Sequence, residues 1–163
     1  MRQELYFTAF GVPAPQGSKN VYQGRVVESS KKLKPWRKAV ADAVFRAMMA
    51  TGDERSFSEP VIVYATFYLP RPKSVKRLLP SVPPDLDKLC RSLGDALSVD
   101  TNILENDSQI VLWVASKVYA DEHDAGVRVG IRVATIEELQ RAKEILDHEG
   151  WGSSGEVCEV CGK

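Results

Sequence analysis

Two hydrophobic rhythms alternate along the chain. Residues 5–13, "LYFTAFGVP", are rich in aromatic and β-prone side chains and run into Gly11 and Pro13, which predicts a strand ending in a loop. "APQGSKNVYQGRVVESS" breaks that pattern and predicts an exposed loop with a short hairpin, Gly24 supplying the turn. From Pro35 the period changes. Trp36, Val40, Ala43, Val44, Ala47 and Met48 recur at three-to-four spacing, so "PWRKAVADAVFRAMMATG" reads as a helix that Pro35 opens and Gly52 stops. Residues 60–70, "PVIVYATFYLP", are almost continuously β-prone and predict a strand covered on both faces.

A second helix is expected over residues 86–98, where Leu86, Leu89, Cys90, Leu93, Ala96 and Leu97 form an apolar stripe. Its other face carries Asp87, Arg91 and Asp95, spaced four apart and able to pair. "QIVLWVASKVYA" and "AGVRVGIRV", joined by the acidic "DEHD", read as strands of an antiparallel hairpin, with Arg128 and Arg132 alternating against Val127, Val129, Ile131 and Val133. Thr135 followed by Glu138 is a capping-box pattern for a helix through about His148, after which "GWGSSGEVCEVCGK" reads as a flexible tail. The sum is an α+β fold: a single domain with a mixed β-sheet and helices packed against it. The expected divisions are a domain over residues 1–134, a C-terminal helix over 135–149 and the tail over 150–163.

Composition narrows the class. A chain of 163 residues is long enough to bury one sizeable core without disulfides. Its apolar runs fall far short of the ~20 residues of a membrane helix, so a soluble protein with no membrane partner is expected. The opening "MRQELYFTAF" lacks the pattern of a signal peptide, and three cysteines fit a reducing compartment, so the cytoplasm is the expected location.

The net charge of zero hides an asymmetry. Residues 1–80 hold 14 Lys/Arg against 6 Asp/Glu, whereas residues 81–163 hold 8 against 16. The cations concentrate at Lys19, Arg25, Lys31, Lys32, Lys34, Arg37 and Lys38, then at Arg71, Lys73, Lys76 and Arg77, as a surface that meets a polyanion would require.

The acidic half poses the chemical question. Asp85 precedes the second helix and Asp87 lies in its first turn, and helix capping alone would justify both. Asp107, flanked by Glu105, opens the following strand, and the short connection over residues 99–104 can bring it back beside the helix mouth. Carboxylates gathered there would repel one another unless a hard cation with oxygen ligands sat among them. Magnesium is the natural ion, with manganese as its substitute, because it binds through a few carboxylates plus substrate phosphates. With a phosphodiester in place such ions generate a nucleophile and steady the leaving oxygen. Arg91, one turn after Asp87, is the cation placed to stabilise charge on the phosphoryl group, with Lys88 and Lys117 as further candidates.

Other chemistries find less support. "DTNILEND" opens like a calcium loop but has Leu104 at a ligand position and lacks the glycine. His123 and His148 stand alone and read as surface residues, and no phosphate loop of the Walker type occurs, so no nucleotide cofactor is expected. Cys158 and Cys161 form half a zinc site, and a free-thiol tail is the simpler reading.

The segment "PDLDKLCRSLGDALSVDTNILENDSQIVLWVASKVY" resembles the core of the RusA family of Holliday-junction resolvases. The likeness rests on the combination of D-L-D, a D-A-L helix end and a D-x-Q that opens a strand; it extends more loosely over about residues 5–133, including "GVPAPQGSKN" and "GVRVGIRV". The resemblance implies a homodimeric endonuclease of bacterial or phage-infected cells that binds four-way DNA junctions and, with Mg²⁺, cuts two strands symmetrically. Its metal-site aspartates fall on Asp85, Asp87 and Asp107, and its catalytic lysine falls on Arg91. Lys88 replaces the usual Asn, and Asn106 replaces one of the usual acidic pair, leaving Glu105 as a substitute ligand. On this reading Lys19, Arg25, Lys31, Lys32, Lys34, Arg71, Lys73, Lys76, Arg77, Lys88 and Lys117 hold DNA arms through phosphates. The same departures leave a junction-binding protein with little cleavage as the alternative.

Overall fold

Alternation of exposed and buried side chains makes β1 (Glu4–Phe10) a strand with one wet face, Leu5, Phe7 and Ala9 pointing inward. The computed structural model describes residues 4–17, 20–22, 25–27, 31–54, 56–121 and 123–146, with backbone alone for 20–22, 25–27 and 146. The expected hairpin is β2 (Asn20–Tyr22) paired antiparallel with β3 (Arg25–Val27). Gly24, Lys19, the side chain of Arg25, His148 and the Cys158/Cys161 tail lie outside the described residues.

Helix α1 (Leu33–Thr51) ends where Gly52 takes a left-handed conformation (φ 63°) and its N–H reaches the Met49 carbonyl. Trp36, Val40 and Val44 are at most 2% exposed, each worth about 1.5–3 kcal/mol of apolar burial. β4 (Val61–Leu69) sits inside a four-stranded sheet of order β1-β6-β4-β5, where β5 is Ile110–Tyr119 and β6 is Gly126–Val133. The expected coverage of β4 on both faces is corrected: Val63, Ala65, Phe67 and Leu69 are buried, but Tyr64, Thr66 and Tyr68 are half-exposed. Arg132 and Arg128 lie over the Tyr64 and Tyr68 rings, which lets aromatic residues tolerate that wetter face. Close strand approach also fixes Gly126, because a Cβ there would collide with the Ala9 carbonyl oxygen.

The expected β5–β6 hairpin does not form. β4 lies between the two strands, parallel to β5 and antiparallel to β6. Residues 120–125 are long enough to cross one intervening strand, about 10 Å from β5 to β6 at twice the interstrand spacing. A parallel β4–β5 pair in turn needs a long crossover, which α2 (Leu86–Asp95) supplies. The helix ends sooner than its apolar stripe suggests: residues Ala96–Asp100 widen into a π-helical turn, with the Ser98 and Thr101 hydroxyls donating to the Gly94 and Leu97 carbonyls. Trp36 Nε1 donates to Ser92 Oγ at 3.2 Å, which satisfies both buried polar groups where α1 meets α2.

Two compact units are distinguished, residues 1–133 and 134–163. In the second, α3 (Ile136–Leu146) opens with the expected capping box, Glu138 N–H to Thr135 Oγ1 and Thr135 N–H to Glu138 Oε2, both at 3.3 Å. No helix among the described residues is long and apolar enough to cross a membrane.

Candidate active site

The β4-α2-β5 crossover dictates where the carboxylates go. A strand parallel to its predecessor starts at the end of the unit where the connecting helix finishes, so the start of β5 meets the end of α2, not its mouth. Asp107 therefore lies beside Gly94, near enough that a Cβ on the glycine would stand 3.8 Å from the Asp107 Cβ. Asp87 is seven residues earlier on the helix, roughly 10 Å along its axis. The expected place of Asp107 is beside the helix mouth; its contact with Gly94 sets it alongside a later turn of α2. The two aspartates nonetheless line one open cleft of about 650 Å³ between α2 and β5, together with Arg91, Cys90 and Trp113.

Asp85 behaves differently. It precedes α2 with extended backbone, but its side chain caps no backbone N–H, contrary to expectation. Instead it accepts a 2.7 Å hydrogen bond from Lys88 Nζ. That bond, and then the ammonium's charge, hold the Asp85 carboxyl below the ordinary carboxylate range. Lys88 is therefore paired with an acid in a contact that stays open to solvent. Nor does Asp95 pair with Arg91; it faces Arg37 of α1 at 3.8 Å.

Asp107 is placed by a turn that the sequence marks only as D-x-Q. Residues Asp107–Gln109 form one turn of 3₁₀ helix ahead of β5. Asn106 caps it, accepting from the Ser108 N–H at 2.9 Å. Gln109 does more: its Oε1 accepts from the Glu105 and Asn106 N–H groups at 2.7 and 3.1 Å, and its Nε2 donates to the Phe57 and Glu59 carbonyls. Four bonds from one amide fasten the acidic turn to the segment entering β4. Sequence reasoning treated Gln109 as a family signature without giving it that structural task.

Cys90, half-buried in the cleft wall, has its thiol pushed up to about 11, first by burial and then by the charge of Asp87. Asp87 from α2 and Asp107 from the turn before β5 both line the cleft with Arg91, and apolar Leu86, Ile110 and Trp113 complete its wall.

Among the described residues no three His, Cys, Asp or Glu side chains stand close enough to enclose a metal ion. The predicted convergence of Asp85, Asp87, Glu105 and Asp107 is corrected to two aspartates on a shared cleft, with Asp85 engaged by Lys88 and Glu105 on the exposed turn. That donor set suits a hard cation completed by water and phosphate oxygens better than a closed protein cage.

The basic residues divide by environment. Lys31, Lys32, Lys34, Lys73, Lys76 and Arg77 are exposed. Arg71 lies over the Tyr119 ring, donates to Asp121, with Nη2 to Oδ2 at 2.7 Å, and to the Arg77 carbonyl. Lys117 is likewise turned onto backbone carbonyls.

The model of one protein family, endodeoxyribonuclease RusA, matches residues 11–132. The chain belongs to the RusA family. Its members are hydrolases that act on DNA and resolve Holliday junctions, so this chain is an endodeoxyribonuclease of the junction-resolving type at the family level. The match takes in both sides of the cleft and strands β4, β5 and all but the last residue of β6, while β1 lies ahead of it. No curated protein matches the chain. Within a nuclease family, two aspartates facing one cleft gain a defined chemical sense, because phosphodiester hydrolysis in such enzymes draws on a divalent metal.

Proposed function

We propose that this RusA-family chain resolves four-way DNA junctions by Mg²⁺-dependent hydrolysis, Asp87 and Asp107 holding the cation with substrate phosphate oxygens. Mn²⁺ would serve in its place. The observation that carries the reading is the shared cleft of Asp87 and Asp107 with Arg91 between them on α2. The cation would supply water activation and charge neutralisation at the phosphoryl group.

The chain's own residues do the rest. Asp87 from α2 and Asp107 from the turn before β5 would hold the ion. Arg91, whose planar guanidinium presents paired donors, stabilises charge growing on the non-bridging phosphate oxygens. Asp85, paired with Lys88, and Glu105, on the same acidic turn as Asp107, would be the further oxygen donors available to the ion. The exposed Lys31, Lys32 and Lys34 at the start of α1, and Lys73, Lys76 and Arg77 in the loop after β4, grip DNA arms through phosphates. Lys19 and Arg25 belong to the same proposed surface.

Two copies related by a dyad would present two equivalent clefts to the two equivalent strands of a symmetric junction, so a homodimer is part of the proposal. Residues 1–134 make up the proposed endonuclease domain, with residues 135–149 as an appended helix and 150–163 as a tail.

The test is cleavage of a synthetic four-way junction by the full chain, wild type against Asp87→Asn and Asp107→Asn, in Mg²⁺ and in EDTA. Cutting is expected only from the wild type with metal, while gel-shift binding survives in all three proteins. Cutting that persists in EDTA or in both variants would overturn the mechanism. Tight junction binding with no product in Mg²⁺ or Mn²⁺ would identify a junction binder instead.

A further inference from the structure

The segment that leads through Asp85 into α2 has few hydrogen-bond donors of its own at its end. Residues 80–85 run without helix or strand between the basic loop and α2, and Pro83 and Pro84 have no N–H to donate. The Ser81 N–H turns back onto the Leu79 carbonyl, and Pro83–Pro84 offer carbonyl acceptors only, so a hydrogen bond onto that pair comes from a donor elsewhere.

Lys117 is that donor. It sits on β5 opposite Phe67, on the sheet face that carries the core, and its Nζ donates to the Val82 and Pro84 carbonyls, both at 2.8 Å. Two of the ammonium's three donors are thereby spent on the backbone just ahead of Asp85. Arg71 ties the other end of the same loop to Asp121, just past β5, and lies over Tyr119. Strand β5 thus holds the loop at both ends, and the same strand begins at the turn bearing Asp107.

We infer that Lys117 is a positioning residue for the nuclease reaction, pinning the residues 82–84 backbone to β5 so that Asp85 and the first turn of α2 keep a fixed place relative to Asp107. The inference rests on the nuclease reading above and assigns Lys117 a task other than phosphate contact. A lysine whose donors are aimed at carbonyls has little left for DNA, whereas losing it removes both side-chain bonds to the backbone just ahead of α2. Metal affinity, which depends on where carboxylates stand, should then fall before DNA affinity does.

The test compares Lys117→Met, which keeps the apolar stem without donors, and Lys117→Arg, which restores them, using the full chain. Calorimetric titration with Mn²⁺ in the absence of DNA reads the site directly. Junction binding in EDTA across a salt series reads phosphate contact. Lys117→Met is expected to weaken Mn²⁺ binding about 10- to 100-fold and to raise by a similar factor the Mn²⁺ needed for half-maximal cleavage. Its junction affinity and salt slope should stay at wild-type values, and Lys117→Arg should recover most of the metal affinity.

Unchanged Mn²⁺ binding, with junction affinity down and the salt slope reduced by about one, would make Lys117 a phosphate contact and overturn the inference. Should Lys117→Met fail to fold, Lys117→Gln, shorter and uncharged but still polar, is read by the same two titrations. The nuclease reading fails separately, through Asp87→Asn cutting like wild type.

Discussion

Arg37 grips Asp100 through two hydrogen bonds, Nε to Oδ2 at 2.6 Å and Nη2 to Oδ1 at 2.8 Å. The pair joins α1 to the π-helical turn that follows α2, and Arg37 also approaches Asp95 on the helix itself. The wider last turn of α2 is thereby held against α1, and with it the end of the helix where Asp107 docks. A bidentate, partly buried Arg–carboxylate pair is the kind that contributes measurably to stability. In a double-mutant cycle of Arg37→Ala and Asp100→Ala, chemical denaturation should give a coupling of about 1 kcal/mol. A value near zero would mean the contact is incidental.

Gln109→Ala removes all four bonds that secure the Glu105–Asp107 turn. A destabilisation of about 1–3 kcal/mol is expected by denaturation, because the Phe57 and Glu59 carbonyls and two N–H groups lose partners together. Cleavage should drop more steeply than junction binding, since Asp107 loses its fixed place while the cationic surfaces are untouched. Equal losses in both would argue against this division of labour.

Lys88 masks Asp85. Lys88→Asn should return the Asp85 carboxyl toward its ordinary range, read by NMR of the side-chain carboxyl, and should lower the Mn²⁺ concentration needed for half-maximal cleavage several-fold. A metal requirement that rises instead would show that Lys88 assists at the site.

The Arg71–Asp121 pair carries its own pH dependence. The hydrogen bond from Arg71, then its charge, hold the Asp121 carboxyl below the ordinary range. A carboxylate whose folded value is lowered lends stability above its unfolded value and loses it as pH falls through the folded one. Hydrogen exchange of the loop over residues 70–77 should accordingly quicken only when pH drops below the ordinary carboxylate range. Arg71→Met should show the fast exchange at neutral pH already.

Cys90, with its thiol near 11, should resist alkylation at pH 8, where only on the order of one thiol in a thousand is ionised. Peptide mass mapping after iodoacetamide distinguishes it from Cys158 and Cys161. Rapid labelling of Cys90 would contradict the burial.

The local elements were legible because local rules govern them. Three-to-four spacing gave α1 and the stripe of α2, β-prone runs gave β1 and β5, alternation gave β6, and Thr135 with Glu138 gave the cap of α3. The family likeness was legible in D-L-D, D-A-L and D-x-Q, because short motifs survive wherever the chain places them. What periodicity does not encode is which strands become neighbours. A hairpin from β5 to β6 and a crossover that seats β4 between them satisfy the same alternation; burial of Val63, Ala65 and Phe67 at the sheet's centre selects the second.

That choice of neighbours decided the site. By itself the sequence determined the acidic residues, the basic half and the helices and strands that carry them, since these follow from side-chain chemistry and short-range spacing. Only the tertiary structure decided that Asp107 faces the end of α2 and that Lys117 and Gln109 turn inward onto carbonyls. Parallel pairing of β4 with β5 sets the first of these, and backbone groups seeking partners set the last, both through contacts between residues distant in the chain.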